Sequence, residues 1–472
     1  MILSLFLSIF TLFLLGFVFV SLLWPGRQPI HNFVKASLAA GLGAGLISVI
    51  LFIWLLVFGS SKNFILFETA LLLPLMFVLF YTFNKKHTAP SVAVQEEGPS
   101  ETGLRWMLRI VLLLMLASSL FAFIVISVRQ PHGGRDAWIV WNSHARFIFR
   151  SGEHWQNFFS NVISWSQPDY PLLVPLSIVH GWKIVGSEAL SVPALLSALF
   201  TFSTALLLLS SLAALRSEAQ GLLAGLILLG TPSFIRAGTT QFADVPLAFF
   251  FLSTIVFLAF YDRTSPENRA LLFLAGMSAG LSTWTKNEGF LFLVSIIAAR
   301  SVAVIQRRGW KEFSRQMRAF SAGLLPILLV VLYFKIFIAT PNDLASGQGL
   351  TATLSRLTDP ARYYLILREY VVHGLGATRC GLPLLAICLF LLGKNKEVKD
   401  RAMVNTGLLT LVLMLAGYLF VYVTSPKDLI WHVKTSLDRL FLQIWPSFIF
   451  CFFMLADTPE QVLSKYKSGN KA

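Results

Sequence analysis

Charge is what this sequence most lacks. Only 13% of its 472 residues are Asp, Glu, Lys or Arg, about half the share in a water-soluble globular domain, which excludes an ordinary soluble enzyme. Acidic residues are the scarcer kind, 23 against 38 Lys and Arg. Cysteine is nearly absent. Cys380, Cys388 and Cys451 lie within or beside apolar runs, giving neither a disulfide framework nor a metal-ligand spacing, so redox chemistry is not expected. No repeat relates the two halves of the chain. What is abundant is hydrocarbon: 56% of residues are hydrophobic and the mean hydropathy is +0.71. A membrane-spanning helix needs about 20 mostly apolar residues to cross about 30 Å of lipid, and this composition suffices for about a dozen of them. The reading is an all-α polytopic membrane protein. The net charge of +15 fits basic loops facing anionic lipid, and no nucleic-acid partner is implied.

Apolar runs at 2–24, 34–58, 64–83, 107–128, 189–214, 219–237, 243–261, 270–284, 288–304, 319–339, 376–393, 404–423 and 439–456 each read as a spanning helix, about thirteen in all. The first exceeds a signal-peptide core and no basic residue precedes it, so it is read as a helix. With the N-terminus outside, the basic runs RRGWKEFSRQMR and KNKEVKDR both fall inside, as short cytoplasmic loops prefer. The expected location is a plasma or inner membrane, with the long stretch 129–188 and the outer loops 340–375 and 424–438 facing outside. Within 129–188, Trp138, Trp141, Phe147, Phe149, Trp155, Phe158, Phe159 and Trp165 alternate with polar residues, which suits juxtamembrane helices in the interface. The segment 171–186, broken by Pro and Gly, is too short to span and reads as a helix dipping into the membrane.

Ionisable groups at a membrane boundary cost several kcal/mol unless paired or wetted, so each is a candidate for function. Asp136 lies in GGRDAWIVWNSHAR beside Arg135, and Asp169 in SQPDYPLLVP beside Tyr170. Asp244, in TTQFADVPLAFF, suits either a helix start before Pro246 or a site. Lys286 and Glu288, in STWTKNEGF, suit either a local ion pair at a tight turn or a site. His432 and Arg439 follow in TSPKDLIWHVKTSLDR. At the start of the last span, where the helix dipole repels it, Arg439 needs an anion: the neighbouring Asp438 or a substrate phosphate. The Trp and Phe of 138–165 read as interfacial anchors or as stacking surfaces, and His144, His154 and His180 have no metal-site spacing. All the candidates fall on one side of the membrane. Arg and Lys there can hold a phosphate or diphosphate, and a carboxylate can deprotonate an acceptor. A sugar carried on a membrane lipid phosphate needs both.

RDAWIVWNSHARFIFRSGEHW, QPDYPLLVPL, FADVPLAFFF and TWTKNEGF, in this order, resemble the C-type glycosyltransferase superfamily. These polytopic enzymes use polyprenyl-phosphate sugars and include the protein O-mannosyltransferases of family 39 and the lipid A aminoarabinose transferase. The resemblance covers about 107–305 with its outer loop 129–188, and WHVKTSLDRLFLQIWP looks family-like beyond it. The chain then divides into extra N-terminal helices at 1–106, a catalytic membrane module at 107–305 and C-terminal helices at 306–472. The resemblance implies Asp136 as catalytic base, Asp244 as a second acidic residue, and Lys286 and Arg439 near the lipid phosphate. Arg135, Asp169, Tyr170, Glu288 and His432 complete the expected substrate contacts. It further implies a single inverting displacement on a polyprenyl-phosphate sugar donor, with a glycan, lipid or protein acceptor. Relatives differ in needing a divalent metal, and no cofactor or metal ligand is assigned. Asp136-Ala137 stands where protein mannosyltransferases tend to carry an acidic pair. The alternative function is a polytopic transporter or a flippase for lipid-linked saccharides, which internal repeats and midplane charges would favour.

Overall fold

A computed structural model describes residues 1–24, 29–84, 99–264, 268–342, 349–377, 381–395 and 401–469. Lys85, Lys86, Asp343, Cys380 and much of the KNKEVKDR run lie outside the described residues. Among those described, nine helices are long and apolar enough to cross a membrane, and no named strand occurs. The elements are α1 (Ile2–Leu23), α2 (Pro29–Phe58), α3 (Phe64–Asn84), α4 (Pro99–Arg129), α5 (Asn142–Ser151), α6 (Leu173–Val185), α7 (Ser191–Leu215), α8 (Glu218–Leu229) and α9 (Pro232–Thr239). They continue as α10 (Asp244–Thr264), α11 (Arg269–Thr285), α12 (Glu288–Phe337), α13 (Leu350–Leu357), α14 (Pro360–Ala377), α15 (Gly381–Leu392), α16 (Arg401–Thr424), α17 (Leu429–Leu455) and α18 (Pro459–Gly469).

Every apolar run lies in a helix, but three boundaries differ from expectation. The run 219–237 is two helices, α8 and α9, bent by 63°, because Thr231 is extended and Pro232 has no N–H to continue the hydrogen-bond ladder. Among the described residues, the run 376–393 gives the end of α14 and the 12 residues of α15, the latter about 18 Å of helix and shorter than a span. The last spanning helix, α17, starts at Leu429 rather than 439; its first turns carry His432, Lys434 and Asp438, which hydropathy reads as loop although they are helical in conformation.

The 50 residues of α12 are folded back on themselves. Arg300 Nε lies 3.1 Å from Gln316 Oε1, whereas 16 intervening steps of straight helix would separate them by about 24 Å. The reversal is at Gly309, φ 76°, a left-handed conformation that glycine adopts without a Cβ penalty. The arms 288–308 and 310–337 thus match the two expected spans. The second arm packs backbone-close on α11: a Cβ built on Gly276 would stand 1.9 Å from the Phe320 carbonyl oxygen, the close approach that small residues permit between membrane helices.

At the centre runs α10, apolar all round and wholly buried over its spanning window, as such a helix must be. The N-terminal helices belong to this bundle. In α2, Ser48 Oγ accepts from Trp284 Nε1 at 3.1 Å, and Phe52 packs edge-on to Trp284 with centroids 5.2 Å apart. The 13 residues of α6, about 20 Å long, are too short to span, and Leu173–Trp182 is buried between neighbouring helices. The expected interfacial aromatics divide by burial. Trp138, Phe147 and Trp165 are exposed, while Trp141, Trp155, Phe158 and Phe159 are buried in the protein and Phe149 is half-buried.

Candidate functional site

Three loops meet at one end of the bundle because short polar contacts fasten the first to the second. Gly134 N donates to the Thr240 carbonyl at 2.9 Å, Gln241 Nε2 to the Pro131 carbonyl at 3.2 Å, and Asn142 Nδ2 to Gln241 Oε1 at 3.2 Å. These bonds dock the segment before the π-helical turn Ala137–Trp141 on the loop leading into α10. Asp136 and Asp244 therefore reach the same side chain, Arg439 of α17.

The core of the site is a chain of alternating charges. Arg439 donates from Nη1 to Asp136 Oδ2 at 2.6 Å and from Nε to Asp244 Oδ2 at 2.8 Å, with Nη2 also 2.8 Å from that oxygen. Asp244 Oδ1 accepts from Lys286 Nζ at 3.0 Å and from Gln443 Nε2 at 2.6 Å. Lys286 Nζ lies 2.7 Å from Glu288 Oε1. The order is Asp136, Arg439, Asp244, Lys286, Glu288. Side-chain exposure falls from 39% and 27% at Asp136 and Arg439 to 1% at Asp244, is 5% at Lys286, and rises to 22% at Glu288. Asp136 and Arg439 at one end of the chain and Glu288 at the other are open to a substrate, while Asp244 and Lys286 are closed off. Burial alone would lower the Lys286 ammonium, but Asp244 and Glu288 outweigh it and hold the group above its ordinary pKa. Arg439 also lies over the Phe242 ring, 4.5 Å from its centroid.

A second polar group adjoins the first. Asp169 Oδ2 accepts from Asn287 Nδ2 at 2.8 Å and from Asn342 Nδ2 at 2.7 Å. Lys335, near the end of α12, donates to the Asp169 carbonyl and to Asn287 Oδ1 at 2.7 Å. Tyr170 stacks on Trp141 with centroids 5.4 Å apart and planes 9° apart. Burial, then the carboxylates of Glu288, Asp169 and Asp136, push its phenol well above the ordinary value despite Arg439, so it remains a neutral hydroxyl.

Among the expected residues, Asp136, Asp244, Lys286, Glu288 and Arg439 are joined directly, with Asp169 and Tyr170 alongside. Arg135 is exposed beside Asp136 and has no ion pair among the described residues. His432 is not in the charge chain: its Nδ1 lies 2.9 Å from Ser425 Oγ and its ring packs on Tyr422. The Lys286–Glu288 turn is both a local ion pair and part of the cluster. The expectation for Arg439 is corrected. Its neighbour Asp438 pairs with His373 Nδ1 at 2.8 Å, because successive helical residues point about 100° apart, and the anions on Arg439 are Asp136 and Asp244. Sequence reading missed Lys335, Gln443, Asn287, Asn342 and Tyr418, whose hydroxyl donates to Gln443 Oε1. Lys335 carried a usable signal, an ionisable residue inside an apolar run; Gln443, one turn beyond Arg439, is uncharged and stood out less.

A divalent metal does not fit this donor set. Asp136, Asp244, Glu288 and Asp169 each already face an ammonium or guanidinium, and among the described residues no three His, Cys, Asp or Glu are grouped to hold an ion. The outer loop also buries a histidine. His144 is fully buried beneath Phe158, with Nε2 2.8 Å from the Ser166 carbonyl, and burial lowers its pKa to about 4 despite that bond. Because the unfolded chain binds this proton near the ordinary 6.5, His144 makes folding less favourable as pH falls from about 6.5 to 4. The melting temperature should drop across that window, and His144→Gln should flatten the drop; an identical pH dependence in the variant would refute this.

No curated protein and no solved structure matches the chain. Residues 169–334 match the family model described as dolichyl-phosphate-mannose-protein mannosyltransferase, a segment that holds Asp169, Asp244, Lys286, Glu288 and most of the α12 hairpin. The match covers about a third of the chain, and over that segment the chain is similar to the C-type membrane glycosyltransferases.

Proposed function

We propose that the protein transfers a sugar from a polyprenyl-phosphate donor to an acceptor at the extracytoplasmic face of its membrane. The observation that carries the reading is the charge chain, which buries Asp244 and leaves Asp136 at its accessible end. Asp136 Oδ2 is held by Arg439, and Oδ1 is free to accept a proton. In the proposed step, the acceptor O–H or N–H gives its proton to Asp136 Oδ1, the freed lone pair attacks the anomeric carbon, and the sugar–phosphate C–O bond breaks. Its electron pair leaves on the lipid phosphate, with inversion at carbon. Phosphate needs no protonation to leave, so stabilising its charge supplies most of the effect; Arg439, with N–H groups to spare, and the exposed Arg135 are the groups suited to it. Lys286 is saturated by two carboxylates and acts through Asp244. Incubating purified protein with a panel of polyprenyl-phosphate sugars and measuring released lipid phosphate tests the reading; no release with any donor refutes it.

The proposed orientation has its own test. In a protein freed of its native cysteines, Gln156→Cys and Thr358→Cys, both at exposed positions on the site side, should react with an impermeant maleimide in intact spheroplasts. Gln306→Cys, beside the Gly309 reversal, should react only after lysis. The opposite pattern would turn the site inward.

A further inference from the structure

Gln443 is fully buried in α17 and touches both acidic partners of Lys286. Its Nε2 donates to Asp244 Oδ1 at 2.6 Å and reaches Glu288 Oε1 at 3.5 Å. Lys286 Nζ meets the same two oxygens, at 3.0 Å and 2.7 Å. Two carboxylate oxygens and two nitrogen donors thus close a ring. A carboxamide has a donor end and an acceptor end of nearly equal shape, so its polarity is decided by its surroundings. Here Tyr418 of α16, also buried, donates its hydroxyl to Gln443 Oε1 at 3.1 Å. That bond commits the oxygen and turns the NH2 toward the carboxylates. With the amide reversed, an oxygen would face two acidic groups and the ring would open. Glu288 is held in this ring by Oε1 alone; its Oε2 has no hydrogen-bond partner among the described residues.

We infer that Tyr418 and Gln443 are positioning residues: Tyr418 sets the polarity of the Gln443 amide, whose NH2 joins Lys286 in fixing Glu288 so that its second oxygen is presented to the bound substrate. This rests on the glycosyl-transfer reading above. A double-mutant cycle on turnover separates it from packing, because a relay is lost once whereas two independent packing losses multiply. Tyr418→Phe should lower turnover about fivefold and Gln443→Met about fiftyfold, the double variant matching Gln443→Met within about twofold, as expected for coupled groups in one hydrogen-bond network. Gln443→Glu keeps the acceptor for Tyr418 but sets a third carboxylate in the ring, and turnover should fall below that of Gln443→Met. Multiplicative losses in the double variant, or wild-type turnover in Gln443→Glu, overturn the inference. The two readings fail separately: an inactive wild type across the donor panel strikes glycosyl transfer, whereas an active wild type with multiplicative losses strikes the relay.

Discussion

Asp136→Asn should lower turnover about 10²–10⁴-fold, the usual worth of general-base catalysis, while the protein stays folded in the membrane with a melting temperature near that of the wild type. The two halves of this expectation have different causes. Asparagine keeps the volume and still offers Arg439 Nη1 an oxygen at the Oδ2 position, 2.6 Å away in the native pair. Asp136 is also 39% exposed, so water compensates for much of what the amide loses. No oxygen of the amide can take a proton at neutral pH, so the acceptor would have to attack without a base. Release of lipid phosphate from a donor that the wild type uses, measured alongside thermal unfolding, checks both halves. Unchanged turnover removes Asp136 as the base, and a collapsed melting temperature makes it an anchor for Arg439 instead.

The helices were legible because lipid leaves the backbone no partner but itself, so a long apolar run can only be a helix. The interruptions were harder to read. The bend of 63° between α8 and α9 falls inside a single apolar run, and α17 begins in a polar segment, so hydropathy placed its start near Arg439 rather than at Leu429. Of the site, the charged members announced themselves, because Asp244, Lys286 and Arg439 are too costly beside lipid to stand unpaired. Their mutual pairing was not legible. It depends on the Gly134, Gln241 and Asn142 contacts that dock the first outer loop, and on the helical phase of α17, which turns Arg439 to the carboxylates and Asp438 to His373. Neutral members such as Gln443 and Tyr418 gave no comparable signal, since an amide or a phenol in an apolar helix is common and is explained only by its partner.

Asp244 distinguishes an acid that reacts from an acid that holds others in place. The sequence allowed it to be catalytic, yet its carboxylate is 1% exposed, and its two oxygens accept from Lys286, Gln443 and Arg439. A carboxylate so occupied has no lone pair to offer a substrate and no route for a proton to leave. Asp244→Asn should therefore act first on stability. The amide places one NH2 where a carboxylate oxygen stood, setting a donor against donors, and leaves Lys286 and Arg439 each with a single counter-charge. Breaking a buried ion pair from one side costs about 3–5 kcal/mol; because Glu288 and Asp136 still neutralise part of the charge, the expected loss is at the lower end, about 3 kcal/mol. The melting temperature in detergent should drop clearly, and turnover should fall with it as Arg439 releases Asp136. The contrast with Asp136→Asn is the decisive comparison: one variant is inactive and stable, the other inactive and unstable. An Asp244→Asn protein that melts with the wild type but turns over slowly would mean that this carboxylate takes part in the chemistry, and the base would then have to be sought at the buried centre of the charge chain rather than at its open end.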